Sequence, residues 1–192
     1  MCSWCWAFKP TWDRVKEELL GQVRVNYLLG GLAPESNQLM PIETRKYVKG
    51  NWKRIQEMIL GTRFNYDFWT SCEPRRSTYP ACRAVICAKQ QHPDFENLMI
   101  YGIQKSYYLE AQNPSNDDVL INIAESLELD IEKFKMDLKS SQINEILLDE
   151  IKLTRSMDIN SMPSLALKVN GTIKRIHIDC LDANYIVKQI IP

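Results

Sequence analysis

The residues best suited to chemistry stand at the start of the chain, where Met1-Cys2-Ser3-Trp4-Cys5-Trp6 holds a Cys-x-x-Cys pair. Two thiols at that spacing can close a disulfide ring. The stretch from the dithiol onward reads as a helix, so Cys2 lies at or just before its first turn. There the unpaired backbone N–H groups and the positive end of the helix dipole favour a thiolate. Comparable motifs bring the leading thiol to pKa values of about 3.5–7.5. Cys2 is the expected nucleophile, and Cys5, one turn on and less exposed, is expected to resolve a mixed disulfide. The intervening Ser3 and Trp4 offer no cation to the thiolate, so an extreme oxidant is not expected. Trp4, between the cysteines, is a candidate substrate contact because a large ring there can meet an unfolded or peptide segment. Trp6 and Phe8 read as core.

The other four cysteines are Cys72, Cys82, Cys87 and Cys180, too few for a dense disulfide framework in 192 residues. They are expected to be mostly reduced. Zinc competes poorly for the thiols: the spacing Cys2, Cys5, Cys72, Cys82 fits no compact ribbon or finger, and neither His92 nor His177 lies near a further Cys-x-x-Cys. An inert structural pair is the plain alternative for Cys2 and Cys5, since free cysteines often serve as small hydrophobes. Cys82 follows Pro80 at an expected helix start, the setting that activates Cys2. It is a candidate additional reactive thiol, with a buried small residue as the commoner outcome. Arg83 beside it is a candidate anion contact.

Lys plus Arg and Asp plus Glu both number 24, so no net field draws in nucleic acid or an anionic membrane. No run of about 18 apolar residues appears, and the first residues lack the basic and apolar blocks of a signal peptide. A cytoplasmic location is the expectation, with a periplasmic or secreted one as the alternative if a leader is missing upstream.

These thiols need elements to hold them. The stretch to about Leu20 is expected to be helical and kinked at Pro10. Gln22 to Leu29 alternates, with Val23, Val25, Tyr27 and Leu29 on one face, and reads as a strand. Beyond it lie six helical stretches: Glu43 to Leu60, Tyr79 to Gln91, Pro93 to Ala111, Asn116 to Leu127, Ile131 to Lys139 and Gln142 to Met157. Ser115 and Asp130 are expected N-caps. The charges Lys49, Lys53, Arg54 and Glu57 mark a solvated face. Leu165 to Val169 and Thr172 to Ile178 flank Asn170-Gly171, the dipeptide of two-residue hairpin turns. Asp182 caps a last helix.

The dithiol, Pro10 in the helix that it opens, and Met162-Pro163 just before a hairpin and a C-terminal helix together resemble the DsbA-like branch of the thioredoxin fold. Tyr79-Pro80-Ala81-Cys82-Arg83-Ala84 is similar to an insertion-helix start in that branch. The resemblance spans nearly the whole chain and implies an α/β thioredoxin-like fold with a large all-α insertion. Residues 1–40 and 158–192 would form the thioredoxin-like domain and residues 41–157 the helical insertion. In such folds a central strand comes just before the dithiol, and only Met1 precedes Cys2, so that first strand is expected to be missing upstream of Met1. The resemblance further implies that the Met162–Pro163 bond is cis and faces the dithiol. Met162 and Pro163 would then bind substrate, because Pro163 has no N–H and leaves the backbone of Met162 free to pair with an extended segment.

The implied function is a thiol–disulfide oxidoreductase acting on protein or peptide thiols and disulfides, of undetermined direction. It would work with a redox partner of unknown identity and with no bound cofactor beyond the Cys2–Cys5 disulfide, glutathione being a candidate co-substrate. No nucleic acid and no membrane are expected as partners. Two alternatives stand beside it: a glutathione-dependent isomerase or transferase of related architecture, and a non-catalytic protein that binds partners through its helical block. Relatives of the former kind usually carry Ser where Cys2 stands.

Overall fold

A computed structural model describes residues 1–191. The first helix, α1 (Ser3–Glu18), has Cys2 as its extended N-cap and continues through Pro10, which lies on the exposed side. Exposure lets water serve the carbonyl that a proline leaves without an N–H partner.

The segment Gln22 to Leu29 corrects the sequence reading, because it forms no strand. The sheet among the described residues has two strands, both from later in the chain. Alternation favours an extended backbone, but a strand also needs a neighbour to take its N–H and C=O groups. Here the Leu29 N–H donates to the Glu150 carboxylate at 2.7 Å instead, and Val25 and Leu28 stay exposed.

The helical block comprises α2 (Ile42–Met58), the short α3 (Phe68–Ser71), α4 (Tyr79–Gln91), α5 (Phe95–Tyr108), α6 (Asp117–Ser126), α7 (Ile131–Leu138) and α8 (Ser141–Ser156). Sequence reading passed over α3, which is a single turn. Asp130 caps α7 by accepting the Lys133 N–H at 3.0 Å, and Ser140 caps α8 by accepting that of Ile143 at 3.2 Å. Ser115 does not cap α6. Its hydroxyl donates to the Ser77 carbonyl at 2.8 Å, tying two loops together, and Asn116 stands at the N-cap. Asp117 and Asp118 still place negative charge on the first turn, where the helix dipole favours it.

The hairpin is as the dipeptide requires. β1 (Leu165–Val169) and β2 (Thr172–Ile176) pair antiparallel with Leu165 opposite Ile176 and Val169 opposite Thr172. Asn170 and Gly171 take φ of 48° and 84°, the positive values that a tight hairpin turn needs at both positions. Asp182 accepts the Tyr185 N–H at 3.0 Å and starts α9 (Ala183–Ile190).

Three buried clusters hold these parts. The largest is centred on α4, whose Ala84, Cys87 and Ala88 are fully buried among side chains of α5 to α8 such as Ile103, Phe134 and Leu147. A second is aromatic and joins Trp52 and Ile55 of α2 to Phe64, Phe68, Tyr107, Tyr108 and Ala7 of α1. The third packs Phe8 and Val15 of α1 and its C-cap Leu19 against Ile176 and the apolar face of α9. The dithiol helix therefore lies where two cores meet, one face on the helical block and the other on the hairpin and α9.

Candidate active site

The first turn of α1 folds onto its own leading thiol. Cys2 takes an extended conformation, which aims its sulfur back over the turn, and the Cys5 N–H donates to it at 3.2 Å. In its protonated form Cys2 donates to the Met162 carbonyl at 3.3 Å, a contact spanning 160 residues of sequence. The Met162–Pro163 peptide bond is cis. The Met162 side chain is seated against Gly30, where a Cβ would come within 1.6 Å of its terminal methyl carbon. Glycine at position 30 leaves room for the Met162 side chain as it lies.

The two thiols are displaced in opposite directions. A hydrogen bond from the Cys5 thiol, followed by the N–H groups of Cys5 and Trp4, holds the Cys2 pKa below the usual thiol value against the opposing effect of burial. Cys5 is pushed well above that value, first because its proton is engaged with Cys2 and then because it is buried. The asymmetry favours a thiolate at Cys2 and a protonated thiol at Cys5. Disulfide exchange by a dithiol calls for an asymmetry of this kind.

The remaining cysteines stay protonated. Burial pushes Cys82 up to about 11 and Cys87 up to about 12. Cys82 thus has the helix-start position of Cys2 but not its electrostatics. Burial also raises Cys72 and Cys180. Arg83 is engaged rather than open to an anion, with the Glu35 carboxylate at 2.7 Å and the Leu138 carbonyl at 3.0 Å.

Trp4 is half-buried, with the Arg54 guanidinium 6.0 Å above its ring. Trp6 stacks on Tyr101 and Tyr108 and donates its indole N–H to the Arg63 carbonyl. Beside this turn opens a groove of about 440 Å³, lined by Trp6, Pro10, Ile59, Arg63, Tyr101 and Cys180. Thr11 fixes one wall by donating to the Cys180 carbonyl at 2.6 Å. Tyr101, Tyr108 and Cys180 were not singled out as site residues from the sequence. They gather along the dithiol helix by tertiary packing, and no local spacing marks them.

The opposed thiols set up a pH experiment. Alkylation of the reduced protein by iodoacetamide is expected to show one fast cysteine, Cys2, with a midpoint below the ordinary thiol value of about 8.5. Its rate persists as the pH is lowered past that value and is lost only as the pH falls through the pKa of Cys2 itself. Cys5→Ser, which replaces the thiol donor to Cys2 with a weaker acid, should shift the midpoint. Mass spectrometry of the labelled residue across stepped pH checks both, and a Cys2 midpoint at 8.5 or above would overturn the assignment.

The fold, with its paired thiols opposite a proline-led hairpin, defines a DsbA-like member of the thioredoxin superfamily. Residues 1–183 match the sequence model of the family described as Thioredoxin, and the chain belongs to that family. Among curated proteins it is similar to the ClpXP adapter protein SpxH of Halalkalibacterium halodurans, with 26% identity over 168 residues that cover 85% of this chain and 54% of that protein. The chain thus spans about half the length of the curated relatives it matches. Among solved structures, one described as a "putative protein disulfide isomerase" from Nitrosomonas europaea superposes with a TM-score of 0.83 at 19% identity, covering 98% of this chain and 92% of that one. The cytosolic disulfide reductase DsbM from Pseudomonas aeruginosa superposes with a TM-score of 0.74 at 22% identity, covering 98% and 88%. That reductase has also been solved with GSH. No helix among the described residues is long and apolar enough to cross a membrane.

Proposed function

We propose that this protein is a thiol–disulfide oxidoreductase that exchanges disulfides with protein or peptide thiols through Cys2 and Cys5. The observation that carries the reading is the asymmetry of the two thiols on the first turn of α1, where Cys2 accepts the Cys5 N–H at 3.2 Å and is lowered while Cys5 is raised. In the reducing direction the Cys2 thiolate attacks one sulfur of a substrate disulfide, forms a mixed disulfide and expels the other sulfur as a thiolate. Cys5 then gives up its proton and attacks Cys2, closing the Cys2–Cys5 disulfide and releasing the second substrate thiolate. Two electrons pass to the substrate, and an external dithiol or glutathione restores the pair. The oxidising direction is the reverse.

The Met162 carbonyl supplies the docking edge. It accepts from Cys2 while that sulfur is protonated, but a Cys2 thiolate has no proton to donate, which frees that oxygen for a backbone N–H of an extended substrate. Trp4, half-buried between the two cysteines, is proposed as a further substrate contact. Because the Pseudomonas reductase is cytosolic and was solved with GSH, a cytoplasmic location and a glutathione co-substrate belong to the reading.

The test is a redox titration of Cys2–Cys5 against glutathione, paired with catalysed reduction of insulin. The expected result is a reversible two-electron transition and turnover above the uncatalysed rate. A pair that never equilibrates with glutathione, in a protein that leaves the insulin rate unchanged, would overturn it.

A second reading is favoured by the curated relatives, which are ClpXP adapters: the chain would present a bound protein to a partner rather than turn over thiols. Partner capture unaffected by simultaneous Cys2→Ser and Cys5→Ser substitution, in a protein without turnover, would select it.

A further inference from the structure

In a chain whose net charge is zero, the exposed face of α2 is cationic at its centre. Gly50 stands in the middle of that helix, where a glycine is costly because it holds helical geometry less well than alanine. A Cβ at this position would meet nothing within 4 Å, so no packing calls for its absence. The residues that share a helix surface with Gly50 are Lys46 and Tyr47 one turn before it and Lys53 and Arg54 one turn after. All four are exposed, as is Lys49. They surround a bare stretch of backbone that another chain can approach closely. Lys46 is held by Glu43 at 2.9 Å, whereas Lys49, Lys53 and Arg54 form no ion pair among the described residues. Glu43 and Glu57 close the strip at its two ends. Arg54 joins it to the dithiol turn: its guanidinium lies 6.0 Å from the centre of the Trp4 ring, within cation–π range, and Trp4 stands between Cys2 and Cys5.

We propose that the outer face of α2 is a docking strip for an acidic, extended segment of a protein partner, which it leads past Arg54 and Trp4 to the dithiol. From Lys46 to Arg54 the helix runs about 12 Å at 1.5 Å per residue, the length of about four extended residues at 3.3 Å each. Alternate residues of such a segment point the same way, about 6.6 Å apart, near the 5.4 Å spacing of helical turns. Carboxylates at those positions meet the cations of successive turns. A strip this short, closed by an acid at each end, suits a peptide segment rather than a nucleic-acid strand or a membrane, whose evenly spread negative charge would also face Glu43 and Glu57. Complementary charge of this kind selects partners and speeds their encounter more than it tightens the final complex. The docking holds whether the chain turns over thiols or presents a bound protein; the delivery to Cys2 rests on the oxidoreductase reading.

The test is fluorescence anisotropy with a short labelled peptide of alternating Glu and Ser, free of sulfur, beside its Lys-for-Glu counterpart. The wild type should bind the acidic peptide and not the basic one, and raising the salt from 20 to 300 mM should weaken binding as the charges are screened. Lys53→Glu with Arg54→Glu should weaken it about tenfold, and Lys53→Gln with Arg54→Gln should fall between. Both side chains are exposed, and thermal melting checks that α2 stays folded. Lys152→Glu with Arg155→Glu, on the exposed side of α8, alters the net charge equally and should leave binding as in the wild type. Undiminished binding by the α2 charge-reversal variant, or equal loss in the α8 control, would overturn the proposal. So would tighter binding of single-stranded DNA or anionic lipid vesicles that the α2 substitutions abolish. Delivery is read as the rate at which Cys2 forms a mixed disulfide with cysteine peptides activated by thionitrobenzoate, expected to be faster with Glu flanks than with Lys flanks. If Cys2 attacks neither peptide, the oxidoreductase reading fails, while the anisotropy still decides the docking.

Discussion

Cys2→Ser is expected to bring insulin reduction down to the uncatalysed rate, a loss of about a thousandfold or more. The substitution is well controlled by the position of the residue. Cys2 is the N-cap of α1 and accepts the Cys5 N–H through its side chain, and serine is among the best N-cap residues. The variant should therefore fold with α1 capped while its hydroxyl, un-ionised at neutral pH, cannot attack a disulfide. Cys5→Ser separates the two steps: attack by Cys2 continues, resolution does not, and the protein should accumulate as a mixed disulfide visible by mass. Equal insulin rates for wild type and Cys2→Ser would dismiss the catalytic role, and a Cys5→Ser protein that turns over normally would dismiss the resolving one.

The largest expected effect on stability is that of Trp52→Ala, about 3–5 kcal/mol against a total of about 5–15 kcal/mol for a domain. Trp52 is wholly buried and lies at the hub of the aromatic cluster, stacked on Phe64 at 4.8 Å and edge-on to Tyr107 and Tyr108. Its indole N–H has no partner, so truncation breaks no hydrogen bond and the cost is lost packing plus the cavity left behind. Ala7 of α1 rests on the same cluster, so the dithiol helix should loosen with it. Urea denaturation of wild type, Trp52→Phe and Trp52→Ala checks the order, with the phenylalanine variant intermediate. A loss under about 1 kcal/mol for the alanine variant would show that the cluster does not carry that weight.

The sequence makes the local features plain. Asn170-Gly171 fixes the hairpin turn because few other dipeptides tolerate two positive φ values, and Asp130 and Asp182 mark helix starts because a carboxylate meets N–H groups only two or three residues away. The solvated face of α2 is also readable: Lys49, Lys53, Arg54 and Glu57 are all exposed. What the charges conceal is the opposite face, where Trp52 and Ile55 anchor a core. Gln22 to Leu29 misleads for a related reason, since alternation reports a segment's own faces and says nothing about whether a neighbouring strand is there to pair with it. Ser115 has the right residue type for a cap and is drawn off by a loop about 40 residues away. At the site itself, the dithiol and Met162-Pro163 stand out by type and spacing. The seat of Met162 on Gly30 and the stacking of Trp6 on Tyr108 arise from packing between distant segments, which no window of sequence contains.

The hydrogen bond from Cys2 to Met162 also bears on the order in which the chain folds. It joins residues 160 apart, and the Thr11 contact to Cys180 joins residues 169 apart, whereas the buried members of the largest core all lie within residues 81–151. Contacts that close long loops form late because the chain entropy they cost is recovered only on closure. The block of α4 to α8 can therefore collapse while the dithiol and its docking edge are still apart. A partly folded chain carries both thiols but not the Met162 carbonyl beside Cys2, and the proposed site is complete only when the ends of the fold have met.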